Sequence, residues 1–308
     1  MGIYIYGAGM MGEKYLNLIE EKGFKVSGFL DTYKQTVFIN GERYPIIEIK
    51  DVDKDDIVII SILDIAIRDN VENRLKNIGI NAIPLVDFLY KDMSFEEKER
   101  QMVADFHILQ MDDYFEAAES NENMSIFWGE KSIFRELFDT LDLENVVEIA
   151  CGRGRHVNKY VNKAKKIILL DCIDKNIEFC KKRYQNYNNI EYYCNNGKDL
   201  SEIKDNSVSS VFSYDSFVHF EMMDILYYLR EIYRVLNIGG KALIHHSNNT
   251  ENYKIDFNTG KMGRNYMSQQ LFAFLAWRSG LSVVFQKNID WSDYRNLDCI
   301  TLLRKDRI

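Results

Sequence analysis

One stretch constrains this chain of 308 residues more than any other: Val146-Val147-Glu148-Ile149-Ala150-Cys151-Gly152-Arg153-Gly154-Arg155-His156. A short apolar run reads as a buried strand, and the glycines after it as a turn with backbone angles closed to most side chains. The segment beyond the turn can start a helix. Bare main chain at such a turn lets a small cofactor lie against it. A second apolar run, residues 166–170, ends at Asp171, about 20 residues beyond the turn, where an acid can accept hydrogen bonds from ribose hydroxyls. A nicotinamide dinucleotide and S-adenosylmethionine both fit this outline.

The glycine spacing separates the two. A dinucleotide turn needs a third glycine at 157 so that helix and strand pack closely under the pyrophosphate, and the chain has Val157 there. S-adenosylmethionine carries no phosphate, and Glu148 places an acid near its ammonium and sulfonium charges. The full G-x-G-x-x-G lies elsewhere, at Gly7, Gly9 and Gly12, after a strand at 3–6 and before a helix reaching about Lys22. Asp31 ends the next strand, and further strands at 57–62 and 80–85 make a small doubly wound sheet, roughly half a dinucleotide fold. This first turn suits a nucleotide, with phosphates at the helix N-terminus, or it is a tight turn in an assembly domain.

Composition narrows the partners. The net charge of −8 and the absence of a long basic tract argue against nucleic acid. No apolar run approaches a membrane span, and the N-terminus lacks a signal-peptide pattern. Five cysteines without paired spacing suggest reduced thiols and a cytoplasmic location. The expected organisation is α/β throughout: a Rossmann-like domain over 1–90, a helical connector over 91–125 with one amphipathic helix, and a larger doubly wound domain over 126–308. The polar Glu119–Asn123 stretch is the expected domain edge.

Residues 126–305 resemble a class I S-adenosylmethionine-dependent methyltransferase. The resemblance rests on 148–154, Leu170-Asp171, Asn196-Gly197, Ser213-Tyr214-Asp215, and the helix 229–236 before Gly239-Gly240. It implies a seven-stranded sheet closed by a C-terminal β-hairpin. It also implies a cofactor site of Glu148, Ala150, Gly152, Gly154, Asp171, Cys172, Ile173, Asn196, Gly197 and Tyr214. Gly152 and Gly154 would line the methionine part and Asp171 the ribose. Cys172 or Ile173 would flank the adenine, and Asn196 would accept from its amino group. The first domain resembles the N-terminal domain of bacterial sugar O-acyltransferases through Gly7-Ala8-Gly9, Gly28-Phe29-Leu30-Asp31 and residues 56–61, which implies a nucleotide site at Gly7, Gly9, Gly12 and Asp31.

A methyl on sulfonium is already activated, so the protein must align the acceptor and manage one proton. A hydroxyl acceptor needs a base, and histidine suits neutral pH. His219, His245 and His246 lie at C-terminal ends of strands, where open α/β sheets bind ligands. Alternation points His245 and His246 to opposite faces, so only one of them faces the site. His219 is the first choice of base and His245 the second, with Asp215 orienting. The plainer alternative for each is a histidine held by local hydrogen bonds. The segments around His219, His245, Arg264 and Asp298 resemble methyltransferases of bacterial polysaccharide and sugar modification. His246, Asn248, Arg264 and Asn265 then offer donors and acceptors to a polyhydroxylated ligand, or belong to a solvated loop. A metal held by the adjacent histidines and Asp215 or Asp298 is a minor alternative. The expected activity is methyl transfer to a hydroxyl of a sugar or sugar nucleotide. The alternatives are N-methylation of an amino sugar or small amine, an NAD-dependent oxidoreductase, and a non-catalytic S-adenosylmethionine sensor. The acceptor's identity and the oligomeric state stay open.

Overall fold

The computed structural model describes all residues except Leu63, Gln110, Asp256, Asn258, Arg307 and Ile308, together with the side chains of Ile65, Phe106, Ile108, Leu109, Met111, Asp112 and Asp113. The chain divides into two compact units, 1–109 and 110–308. The stretch 91–125, expected as a connector with a single helix, is shared between them. Phe95–Leu109 is a helix of the first unit, whereas Met111–Ala118 and Asn121–Trp128 are helices of the second. Ser120, at the expected domain edge, instead caps the last of these by accepting from the Asn123 N–H at 3.3 Å.

In the first unit β1 (Ile3–Tyr6), α1 (Met10–Glu21), β2 (Gly28–Leu30), β3 (Thr36–Ile39), β4 (Glu42–Pro45), β5 (Ile57–Ile60), α2 (Ile65–Asn77), β6 (Asn81–Pro84), α3 (Leu85–Leu89) and α4 (Phe95–Leu109) follow in order. The sheet runs β2-β1-β5-β6, every pair parallel. Its strands are continuous apolar runs because both faces are covered. Tyr15, Leu16, Leu18 and Ile19 form the buried stripe of α1. Asp105 of α4, buried at its carboxylate, pairs with Lys22 at 3.3 Å. The hairpin β3–β4 was not anticipated. It turns at Asn40-Gly41, both in the left-handed region (φ 53° and 84°), the dipeptide that two-residue hairpins favour.

The second unit continues with α5 (Met111–Ala118), α6 (Asn121–Trp128), α7 (Ile133–Phe138), β7 (Asn145–Ile149), β8 (Lys166–Asp171), α8 (Asp174–Arg183), β9 (Ile190–Cys194), β10 (Val208–Phe217), α9 (Met222–Val235), β11 (Leu236–Ser247), α10 (Gln269–Arg278), β12 (Leu281–Trp291) and β13 (Tyr294–Lys305). The seven strands run β12-β13-β11-β10-β7-β8-β9. All are parallel except β13, which lies antiparallel between β11 and β12 and forms the C-terminal hairpin. One face packs against α9 and α10, with Ile225, Tyr228, Leu229, Ile232 and Val235 at helical spacing along α9. The other face is covered by an aromatic-rich core that includes Phe127, Phe134, Phe138, Tyr160 and Phe212.

The helix expected after Gly154 is replaced by turns and one 3-10 segment, Val157–Lys159. Val157, Tyr160 and Val161 are all buried, and the Tyr160 hydroxyl reaches Glu148 at 2.6 Å. A segment whose apolar residues are drawn under the sheet so soon after the turn has no length for an amphipathic helix. In the first unit the glycine turn does lead into a true α-helix, α1, with Gly9 at its N-cap.

Close packing makes the first turn sensitive to volume. A Cβ on Gly12 would stand 2.1 Å from the Gly7 carbonyl oxygen, a backbone atom that cannot swing aside. Gly12→Ala should destabilise the first unit by about 1–3 kcal/mol, seen in calorimetry as a lower-melting first transition.

Candidate active site

The parallel strands β7, β8, β10 and β11 place their C-terminal tips along one edge of the second sheet, and the site is built there. At the tip of β7 three residues have positive φ: Ala150 (55°), Gly152 (54°) and Gly154 (75°). Asp171, at the tip of β8, holds this turn. Its carboxylate accepts from the Gly152 N–H at 2.8 Å, the Ile173 N–H at 2.9 Å and the Asn176 amide at 3.1 Å. Each carboxylate oxygen has two lone pairs, so holding the turn is compatible with accepting from a ribose hydroxyl. Ile173 is buried beside the acid, whereas Cys172 is exposed. Gly197 also sits in the left-handed region, at 78°. Asn196 is exposed and bonds within its own loop: Oδ1 accepts from the N–H of Lys198 and of Asp199, and its amide donates to Asp199 at 2.5 Å.

Glu148 lies beneath the turn, with 2% of its surface exposed. Burial pushes its carboxyl up to about 8, although the Tyr160 hydrogen bond favours the charged form. Tyr214, on β10, is buried against Phe127 (3.9 Å between centroids) and His245 (4.3 Å).

Beyond β7, a buried network of charges crosses the tips of β10, β11 and β13. Arg155, from the glycine turn itself, donates to Asp215 Oδ2 at 3.0 Å. Arg264 forms a two-pronged pair with Asp298, at 3.1 and 2.8 Å, and reaches Asp215 Oδ1 at 3.5 Å. Two guanidinium groups thus meet two carboxylates, and the cluster is close to neutral. Burial raises the Asp215 carboxyl, but the Arg155 and Arg264 charges outweigh it and leave the group below its ordinary value. The same competition, won by His245 and Arg264, brings Asp298 to about 2. The Arg264 guanidinium also lies over Trp291 at 4.6 Å.

The three histidines have different surroundings. His219 is buried, with Nδ1 2.8 Å from the Gly263 carbonyl. His245 stands between the backbone N–H of Asp215 (3.1 Å to Nδ1) and Asp298 (3.1 Å to Nε2). His246 points to the opposite face, stacks on Phe272 at 3.7 Å and bonds to Thr301 at 2.9 Å; burial lowers it to about 3. Asn265 lies next to His219, donating to its carbonyl at 2.5 Å, while its buried Oδ1 has no hydrogen-bond partner among the described residues. Asn248 instead ties β13 to the start of α10, donating to the Asn296 carbonyl and accepting from the Gln269 N–H, each at 2.8 Å. Among the described residues no cluster of three or more His, Cys, Asp or Glu side chains is arranged to hold a metal ion.

Arg155 and Tyr114 are members of this site that the sequence pattern did not single out. Arg155 follows a glycine that was noticed, and only the observed turn aims it at β10. Tyr114 comes from α5 and is described below.

In the first unit Asp31 repeats the device of Asp171. It accepts from the N–H groups of Ala8, Tyr33 and Lys34 at 2.9, 2.8 and 3.0 Å. Beside it is a cavity of about 500 Å³ whose polar lining includes Tyr6, Asp31, Lys34, Glu48, Lys50 and Arg74. Gly7 lies at φ 102°, its carbonyl accepting from Ser61 at 3.0 Å.

The seven-stranded order, with its antiparallel hairpin and glycine turn after the first strand, is that of the class I methyltransferase fold. Residues 147–244 match the family model described as a methyltransferase domain, and residues 2–75 match that of the PglD N-terminal domain. No curated protein matches the chain. Among similar solved structures, a SAM dependent methyltransferase from Aquifex aeolicus is 13% identical with a TM-score of 0.48, covering 63% of this chain and 97% of that one. SAM-dependent methyltransferases from Methanosarcina mazei give 13% identity and a TM-score of 0.47, covering 57% of this chain and 99% of that one.

The cofactor of the second unit is S-adenosylmethionine. The residues fit that group on a structural ground. The turn after β7 leads into no α-helix, so it lacks the row of amides that binds pyrophosphate. It does offer bare backbone, an acid at the neighbouring strand tip and a buried carboxyl. Gly152 and Gly154 would hold the methionine end, with Asp171 at the ribose and Ile173 at the adenine.

Two outcomes test these electrostatics. Folded Glu148 keeps its proton up to about pH 8, whereas the unfolded chain loses it near the ordinary 4.5, so stability should fall as pH rises between those values. Glu148→Gln should flatten that slope by up to about 1.4 kcal/mol per pH unit, measured by denaturant unfolding across the window. Separately, Asp298→Ala leaves Arg264 buried without its main partner, and should cost about 3–5 kcal/mol in the same assay.

Proposed function

We propose that the chain transfers the methyl group of S-adenosylmethionine to a hydroxyl of a sugar or sugar nucleotide, in the assembly of a surface polysaccharide. The observation that carries this reading is the orientation of His219. A carbonyl only accepts, so the Gly263 contact puts the hydrogen on Nδ1 and leaves Nε2 as the basic nitrogen. His245 has the opposite arrangement. Its Nδ1 accepts from the Asp215 N–H, and its Nε2–H donates to Asp298. The apolar stack of His246 on Phe272 assigns it to the core.

The sulfonium supplies a methyl whose leaving group is a neutral thioether. The protein's part is to align the acceptor oxygen, take its proton at His219 Nε2 and exclude water. Asp215, held ionised, and the Oδ1 of Asn265, which has no partner among the described residues, are acceptors beside that base. Such a lining favours a ligand rich in donors, as a polyol is. Arg264, already engaged by two carboxylates, would orient Asp215 rather than hold a ligand anion.

The first unit supports the sugar-nucleotide part of the reading through its match to the PglD N-terminal domain and through its cavity. Lys34, Lys50 and Arg74 offer positive charge there, and α1 begins at the glycine turn, which suits phosphate. A four-stranded sheet provides one mononucleotide half, which favours a nucleoside diphosphate over NAD. Methylation of an amino sugar is the second reading, because ionised Asp215 would also hold an ammonium group.

His219→Ala should lower methyl transfer by about 100-fold or more while changing affinity for the methyl donor by no more than about twofold. The assay is transfer of labelled methyl across a panel of nucleotide sugars. Wild-type turnover in the variant would remove His219 as the base.

A further inference from the structure

Helix α5 lies against the glycine turn and reaches the charge network at the same time. The ring of Phe115 rests on Gly152: a Cβ there would stand 3.0 Å from its Cε1. Arg153, the next residue of the turn, has its guanidinium over Phe115 at 4.7 Å and over Phe179 of α8 at 4.8 Å. At the C-terminal end of α5, Glu119 is locked to Arg183 of α8 by two bonds of 2.6 and 2.7 Å, and Arg183 also donates to the Arg153 carbonyl at 3.1 Å. Neighbouring Tyr114, half-buried, interacts with Arg155 and with the charges of Asp215 and Arg264.

We infer that α5 belongs to the binding machinery, with Phe115 covering the turn that takes the methionine end of the cofactor and Tyr114 closing the acceptor side through Arg155. The argument is one of placement. Gly152 leaves backbone bare, and the surface against that bare backbone is an aromatic ring carried by α5. Arg155 belongs to the turn yet points its charge at Asp215, so the turn and the acceptor anchor share one residue, and Tyr114 is bonded to it. A ligand that stiffens the turn therefore stiffens α5, through Phe115 and Arg153 on one side and Tyr114 and Arg155 on the other. Tyr114 is a positioning residue: it acts on the acceptor through Arg155 and Asp215. The inference rests on the methyltransferase reading above.

The test uses S-adenosylhomocysteine, the product-side analogue, with the full chain. In hydrogen exchange, the bound chain should gain protection at the amides of 114–118 together with those of 152–154. In calorimetry, Phe115→Ala should weaken binding of the analogue by about tenfold. Glu119→Gln, outside the pockets, should weaken it by only about threefold while speeding exchange across 114–118. Protection confined to 152–154, with 114–118 unchanged, would overturn the role of α5 and leave the cofactor site standing. Failure of the wild-type chain to bind the analogue would overturn the cofactor reading and this inference together.

Discussion

The hydrogen bond from the Gly152 N–H to Asp171 is the contact on which the second unit's site depends. A turn with positive φ at 150, 152 and 154 points its amides away from any ladder, and buried amides must find acceptors elsewhere. The tip of the neighbouring parallel strand lies closest, and an acid there can take several at once. Asp31 does the same for Ala8 in the first unit, so the chain uses one device twice. What differs is the continuation. Met10–Glu21 winds into a helix whose first amides can face an anion, whereas the chain after Gly154 dives under the sheet at Val157 and Tyr160. Two turns that look alike in sequence therefore suit different ligands, and the more dinucleotide-like of them is not the one proposed to hold the methyl donor.

The charge network ties the C-terminal hairpin to the candidate site. Its members come from separate elements: Arg155 from the turn after β7, Asp215 from β10, His245 from β11, Arg264 from the segment before α10, and Asp298 from β13. No single segment of the chain carries a neutral set. Each arginine needs a carboxylate brought by the sheet, because unpaired charge in the interior is costly. Asp298 stands opposite Ser247 in the β11–β13 register, which places it beside both Arg264 and His245. Removing the hairpin would thus do more than open a sheet edge. It would leave Arg264 without Asp298, its main counter-ion.

Much of this was legible in the sequence because strand and helix periods are local properties. The apolar runs at 146–149, 166–170, 208–214 and 281–289 each became strands, and the alternation that separates His245 from His246 follows from the pleat alone. The β3–β4 hairpin carries its own local signal, Asn40-Gly41 between alternating residues, but a weaker one than the apolar strands on either side. Helix α5 is eight residues long and adjoins a polar stretch, so its sequence resembles linker until its contacts with Gly152 and Arg155 are known. The pairing of Asp298 with Arg264 depends on register between strands far apart in the chain, and no local pattern encodes register. The missing helix after Gly154 has the same origin: burial of Tyr160 under Glu148 overrides the propensity of the segment.

Two non-glycine residues, Ala150 and Asp215, occupy the left-handed region at the tips of the adjacent strands β7 and β10, with φ of 55° and 56°. Such a conformation costs roughly 1–3 kcal/mol and persists only where the surroundings impose it. For Ala150 the surroundings are serines of β10: Ser213 donates to the Ile149 carbonyl at 2.9 Å and Ser216 to that of Ala150 at 3.3 Å. For Asp215 the constraint is His245, which accepts its N–H and is itself fixed by Asp298. This gives His245 a purpose that its neighbour His219 does not share. By holding the Asp215 backbone in a strained form, it directs the carboxylate toward Arg155 and Arg264 and away from the strand direction. The strain sits between the turn proposed to take the methyl donor and the base proposed to take the proton, where displacement of Asp215 would disturb both.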